Sequence, residues 1–195
     1  MSTMDKKGVR NLKKSAQVHK GFTLVELLVV IAIIAILAAV VVLIINPLEL
    51  TRRGRDAARL TDLANLQQAI NVAVQEASNS GQNIACAGTG ATCRDDSTST
   101  GGGRTTNGSG WVKVNLGVQK SVSVPTLPVD PTNNNTYHYA YCGSGDDWEI
   151  YTVLESDQQK GKMTTDGGTN NNYYEVGSVL NLAGSAVGGS GTCTY

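Results

Sequence analysis

Histidine is nearly absent from this chain: among 195 residues only His19 and His138 carry an imidazole. His138 lies in the aromatic run Tyr137-His138-Tyr139-Ala140-Tyr141, where a packed or exposed side chain is expected rather than a general base. No GxSxG, HExxH or phosphate-loop spacing occurs. Glu149 and Glu155 are close in sequence but have no sequence reason to form an acid–base pair. An enzyme is therefore not expected, and no catalytic residue is assigned. Paired CxxC spacing is also missing, which sets a zinc ribbon aside, and no EF-hand spacing exists. Sixteen basic and sixteen acidic side chains cancel, so nothing in the overall charge marks nucleic acid as the main ligand.

What the chain does have is a long apolar run. From Phe22 to Ile45 there are twenty-four residues and one charge, Glu26. At ~1.5 Å per residue this is roughly 36 Å of helix, enough to cross a hydrocarbon core of about 30 Å with some tilt. The apolar core of a cleavable secretory signal spans only ~7–15 residues and ends in a small-x-small exit. This run is longer than that.

The residues Lys20-Gly21-Phe22-Thr23-Leu24-Val25-Glu26-Leu27, with a basic leader before them and the apolar run behind, resemble the type IV prepilins and the pseudopilins of type II secretion and DNA uptake. The match covers roughly the first quarter of the chain. It implies an α+β, pilin-like fold: a long N-terminal helix, half membrane-spanning and half amphipathic, packed on a small antiparallel sheet. It also implies cleavage after Gly21 by a membrane prepilin peptidase and N-methylation of Phe22, with Lys20, Gly21 and Phe22 as the processing residues. Polymerisation with identical subunits would follow, driven by a cytoplasmic ATPase through an assembly platform protein.

Glu26 is the costly residue in this run. Insertion scales put an acid at a membrane helix centre at about 2.5–3.5 kcal/mol. The cost falls near a helix end, where the dipole favours negative charge, so a hydrated carboxylate is the plain explanation. Beside a newly cut amino terminus, with a reference pKa of about 7.7–8.0, the sharper one is an ion pair with the next subunit's Phe22 amine, and the resemblance assigns Glu26 that assembly role.

The leader, residues 1–21, holds six Lys/Arg against Asp5, which leaves the rest of the chain at net charge about −5. By the positive-inside rule the N-terminus is cytoplasmic and everything beyond Ile45 extracytoplasmic. The expected location is thus the cytoplasmic membrane, surrounded by lipid, and later a filament at the cell surface or in the periplasm. Arg52, Arg53, Arg55 and Arg59 follow the span; a solvated or intersubunit role is expected for them. All four cysteines (Cys86, Cys93, Cys142 and Cys193) fall in the outer part, where oxidation allows three connectivities. Cys86–Cys93 and Cys142–Cys193 are the favoured pairs.

The expected segments are the leader at 1–21, the membrane or filament-core helix at 22–45, an amphipathic helix at 46–80, a Gly/Ser/Thr-rich loop at 81–110 and a β-domain at 111–195. Asn46-Pro47-Leu48-Glu49 reads either as a kink or as the end of one helix and the N-capped start of a second, with proline at the first helical position; a kink or short break is the preferred reading, and Gly54 is a second weak point. Leu60, Leu63, Leu66, Ile70, Ala73 and Ala77 recur at helical spacing. Residues 95–110 are expected to be mobile. Strands are expected at Trp111–Leu116, near Val122–Val124, in a hairpin of Tyr137–Cys142 with Trp148–Leu154, and at Tyr173–Val176.

Leu127-Pro128-Val129-Asp130-Pro131 with Tyr137 and Tyr139 looks like the stretch before the strands of major pseudopilins, although Thr132-Asn133 stands where those have a Trp-Gly pair. Major pseudopilins also hold calcium in a C-terminal loop. The resemblance would carry ligands to Asp130, Asp146, Asp147, Asp157 or Asp166, but calcium wants ~6–8 oxygens at once, and a solvated Asn/Asp loop is the preferred reading. The alternative to a filament subunit is a monomeric, membrane-anchored binding or adhesion module. Asn107-Gly108-Ser109 and Asn134-Asn135-Thr136 match a glycosylation pattern that is common by chance.

Overall fold

A computed structural model describes residues 21–77, 84–86, 92–93, 98–117, 121 and 124–182. The chain divides into two units, residues 1–45 and 46–195.

Among its described residues the first unit contains one helix, α1, Leu24–Ile45, of 22 residues. Apart from Glu26 in the first turn, its side chains are aliphatic on every face, and none is buried. It is long and apolar enough to cross a membrane. A helix apolar all round belongs in lipid or in the core of an assembly.

The second unit opens with α2, Pro47–Ala77. Asn46, at φ 44°, interrupts the helix and caps α2: its Oδ1 accepts the Glu49 N–H at 3.4 Å, with Pro47 at the first helical position. The interruption is a short break of one residue, Asn46, after which α2 begins. Gly54 is no weak point, since α2 runs through it. The buried residues Asp56, Arg59, Leu63, Leu66, Ile70 and Ala73 recur at spacings of three and four, the face a helix presents to a packed layer. Leu60 and Ala77, placed on this stripe by sequence, are only half buried.

That face lies on an antiparallel sheet of order β1-β2-β3-β4: Thr92–Cys93, Ala140–Ser144, Asp147–Thr152 and Tyr174–Gly177. The central hairpin forms with shifted bounds: Tyr137–Tyr139 precede β2, and Gly143, Ser144 and Asp147, expected in the turn, are paired. Ser144 pairs with Asp147, and Gly145 takes φ 64° between them, the positive φ that a II′ turn requires at its first central residue. Alternation along the strands creates two faces. Tyr139, Tyr141, Trp148, Ile150 and Val176 join α2 in the main core. On the opposite face Ala140, Cys142, Tyr151 and Leu182 form a smaller cluster, flanked by Tyr173 and Val179.

The expected strand at Trp111–Leu116 is not one. Trp111, Val112, Val114 and Leu116 are all buried, so apolar patterning located core but not conformation. Their backbone turns instead to the glycine-rich segment before them: Trp111 N–H bonds to Gly103 O and Leu116 N–H to Thr106 O. The described part of the 95–110 stretch is largely exposed but hydrogen-bonded to the domain, with Ser99, Gly108 and Gly110 buried. Ser99 N–H bonds to Tyr139 O at 2.8 Å, and Trp111 Nε1–H bonds to Pro128 O at 3.0 Å.

Candidate functional site

At the start of α1, Gly21, Phe22 and Thr23 lie outside the helix, and the Phe22 ring is 80% exposed. Thr23 donates to Glu26 Oε2 through its backbone N–H (2.9 Å) and its hydroxyl (2.7 Å), while Glu26 N–H donates to Thr23 Oγ1 at 3.2 Å. This is a reciprocal capping box. It places the carboxylate at the positive end of the helix dipole and gives it partners within its own chain. The Thr-x-x-Glu spacing is the sequence signature of such a box, a signal that the dipole explanation of Glu26 leaves unused. Lys20 lies outside the described residues.

A second polar centre ties α2 to the β-domain loops. Arg59 is wholly buried and donates to Asp130 through Nε (2.6 Å) and Nη2 (2.9 Å), and to Asp56 through Nη1 (2.8 Å). Its Nη2 also lies 2.7 Å from Glu155 Oε1, and its guanidinium sits 5.1 Å above the Tyr137 ring. Arg55 forks onto Glu155, with Nε–Oε1 at 2.9 Å and Nη2 on Oε2. Asp56 accepts the backbone N–H groups of Glu155 (3.0 Å) and Ser156 (2.7 Å), and Glu49 accepts that of Asp157 at 3.0 Å. Asp130 also accepts the N–H groups of Thr132 and Asn133.

The electrostatics follow from these contacts. Hydrogen bonds from Arg55, then Arg59, hold the Glu155 carboxyl at about 2 against the opposing effect of burial. Burial alone would raise Asp130; the Arg59 fork and two backbone donors outweigh it and lower its pKa. Burial likewise works against the charge of Arg59, and its three carboxylates override that and raise its pKa.

For Arg55 and Arg59 the expected solvated or intersubunit role is therefore replaced by an intramolecular one. A lone acid 71 positions away gives no sequence signal of pairing. Arg52 and Arg53 do flank Glu49 with partly exposed side chains.

The acidic residues weighed for calcium are not brought together. Asp130 is spent on Arg59. Asp146 accepts the Ile84 N–H at 3.3 Å, and Asp147 lies 3.4 Å from the Ser178 hydroxyl. Asp157 meets Lys160 at 3.4 Å, and Asp166 accepts the Gly168 and Glu175 N–H groups. Among the described residues no group of three or more His, Cys, Asp or Glu side chains could hold a metal ion. Glu149 and Glu155 do not meet as a pair; Glu155 belongs to the Arg59 cluster, and Glu149 lies on the far face of the sheet. The His138 ring faces the Asn134 carbonyl at 3.1 Å.

Cys86 and Cys142 are each disulfide-bonded and lie in different core clusters, Cys86 on the α2 face and Cys142 on the opposite one. The side chains of Cys93 and Cys193 lie outside the described residues, and with them the expected pairing.

The fold and the exposed N-terminal helix together define an α+β, pilin-like protein carrying one helix fit to span a membrane. Residues 17–42 match the family model of the prokaryotic N-terminal methylation motif, so the chain carries the signature of the type IV prepilin and pseudopilin family. Searches of curated proteins and of solved structures each gave no match.

Proposed function

We propose that this chain is a structural subunit, cut by a prepilin peptidase between Gly21 and Phe22, N-methylated on Phe22 and polymerised with identical copies into a type IV pilus-like or type II secretion filament. The observation that carries this reading is α1, a helix apolar on all faces with no residue buried in its own chain, opening on a methylation motif. Burying such a helix among copies of itself removes from lipid a surface that the fold leaves bare. The platform protein with its ATPase would supply the work of extraction, and lipid would hold the subunit beforehand with its N-terminus cytoplasmic.

In this scheme the Glu26 carboxylate leaves its own Thr23 to meet the methylated amine of the neighbouring subunit. The capping box keeps the charge satisfied while the subunit waits in the membrane. A disulfide from Cys142 to Cys193, with Cys86 joined to Cys93, would fasten the C-terminal tail and the loop after α2 in an oxidising compartment.

Intact mass spectrometry of filaments sheared from the native host tests the reading. The expected species begins at Phe22 and carries one added methyl group. A filament-free host whose functional form retains residues 1–21 would sink it.

A further inference from the structure

Four arginines follow the outer end of the apolar span, Arg52, Arg53, Arg55 and Arg59, against the usual bias of basic residues toward the cytoplasmic side. Arg55 and Arg59 are spent inside the domain. Arg52 and Arg53 are not: their side chains are 39% and 46% exposed, and both face one carboxylate, Glu49. Arg53 gives it only Nε, at 3.3 Å. Arg52 Nη1 stands 4.0 Å away, beyond hydrogen-bond reach. Glu49 Oε1 also takes the Asp157 N–H, and Oε2 has no hydrogen-bond donor. A guanidinium carries five N–H donors, so among the described residues most of this donor capacity is uncommitted.

Side chains on a helix lean toward its N-terminus. The contacts with Glu49 show this lean and bring both guanidinium groups back to the first turn of α2. From Ile45 to Glu49 the chain covers at most about 11 Å, made of two peptide links of ~3.8 Å and two helical rises of ~1.5 Å. A headgroup layer is roughly 5–7 Å deep, and a surface potential reaches a Debye length of about 8–10 Å into solution. With α1 in a bilayer, connectivity alone holds both cations within the field of its surface.

The neighbours of these cations are apolar. Leu48 and Leu50 are 59% and 60% exposed, on either side of the buried Glu49. Leu48 lies one turn before Arg52, and Leu50 one turn before Arg53. Each flank thus carries an aliphatic side chain nearer the span and a cation beyond it, the order in which a long basic side chain reaches from an apolar layer to a polar one. The turn after Glu155 is held against the same end of α2 by the Asp157 N–H on Glu49. It leads into the short 3₁₀ helix Lys160–Thr164, on which Lys160 and Lys162 are exposed. Lys160 meets only the exposed Asp157, at 3.4 Å, among the described residues.

We propose that this end of the domain is a seat for anionic phospholipid: Arg52 and Arg53 take headgroup phosphates, Leu48 and Leu50 enter the acyl boundary, and the two lysines add charge. Guanidinium groups suit phosphate oxygens because their N–H donors are paired in one plane. The inference rests on the membrane-spanning reading of α1 and adds the class of lipid that meets the domain. Acidic side chains of a second copy are the rival occupant. Continuity with the span and the exposed leucines beside each cation favour lipid, since an acid on a partner would leave those leucines in water.

Spin-labelled lipids test this on the mature chain, reconstituted in phosphatidylcholine vesicles. Electron spin resonance separates lipid held at the protein from bulk lipid, with labelled phosphatidylglycerol and labelled phosphatidylcholine as the probes. At low salt the wild type should prefer phosphatidylglycerol about fivefold or more, the attraction of a single cation near an anionic surface. The preference should fall toward one in 1 M salt, where the Debye length is about 3 Å. Arg52→Gln/Arg53→Gln should lose most of it and Arg52→Lys/Arg53→Lys should keep most of it, with the fluorescence of the buried Trp111 and Trp148 reporting that each variant is folded. The single Gln variants serve if the double one does not fold. Equal affinity for the two lipids in the wild type, or an undiminished preference in the folded Gln variants, overturns the proposal and leaves the arginines to a second copy. Failure of the chain to float with the vesicles is a different result: it overturns the membrane-spanning reading, and the lipid seat falls with it.

Discussion

Arg59 and Asp130, 71 positions apart, meet in a two-pronged pair at 2.6 and 2.9 Å with both side chains fully removed from solvent. The pair shows that the face of α2 turned to the β-domain is one stripe with two chemistries. Toward its C-terminal end the stripe is Leu63, Leu66, Ile70 and Ala73; toward its N-terminal end it is Asp56 and Arg59. The apolar half gains from leaving water. The ionic half costs desolvation, offset only where every charge finds a partner, and here the loops at 130–133 and 155–157 supply them.

Removing the central cation should therefore do more harm than losing one surface charge. Arg59→Met keeps most of the volume but leaves Asp56, Asp130 and Glu155 with Arg55 as the remaining cation. Breaking a buried network from one side typically costs about 3–5 kcal/mol. Urea unfolding followed by the fluorescence of the buried Trp111 and Trp148 should show a loss of that order. A loss below about 1 kcal/mol, the range of an exposed pair, would show that the cluster is open to water in solution.

The same cluster predicts an acid limit. Glu155 titrates at about 2 in the fold against 4.5 ordinarily, and Asp130 is also lowered. A lowered acid contributes stability above its unfolded pKa and loses it as pH falls through the folded value. The unfolding midpoint should therefore drop steadily below pH 4.5 and keep dropping toward about 2. Glu155→Gln should lower stability at neutral pH and shrink the slope in that acid window; an unchanged slope would assign the acid response to other groups.

Gly110 is fixed by crowding. An added Cβ there would overlap the Thr105 carbonyl oxygen and lie 2.7 Å from Leu127 Cδ1 and 2.9 Å from Gly103 O. Two of these obstacles are backbone, which cannot swing aside. Overpacking of this kind costs about 1–3 kcal/mol, so Gly110→Ala should lower the thermal midpoint. Gly54→Ala, with nothing within 4 Å of its new methyl, should raise stability by roughly 0.5–1 kcal/mol through helix propensity.

Which parts were legible in sequence follows from how local their causes are. The capped start of α2, its Leu63–Leu66–Ile70 stripe and the central hairpin each depend on residues within a few positions, and each formed, the hairpin with a tighter turn than patterning gave it. Trp111–Leu116 shows the limit: alternation predicted burial, but a strand also needs an edge to pair with, and the backbone found Gly103 and Thr106 instead. The Arg59 cluster depends on loop placement across the whole domain. A charged residue on a buried face reads in sequence as a solvated one until its partner is known. The methylation motif is the opposite case, since its order of residues can be read without any fold at all.

Glu26 allows two duties to be separated by one substitution. In the waiting subunit it closes a capping box with Thr23, a task that glutamine also performs. In the proposed filament it must carry a negative charge to meet the methylated amine of Phe22, a task that glutamine cannot perform. Glu26→Gln should therefore leave the start of α1, membrane insertion and cleavage after Gly21 unchanged, while filaments fall to a small fraction of wild type. Glu26→Ala should lose both duties, and Glu26→Asp should recover part of the assembly through its retained charge. Sheared-filament yield, set against the amount of processed subunit left in the membrane, reads the difference. If the glutamine variant assembled normally, capping rather than charge would be the whole role of Glu26, and the intersubunit ion pair would have to be abandoned.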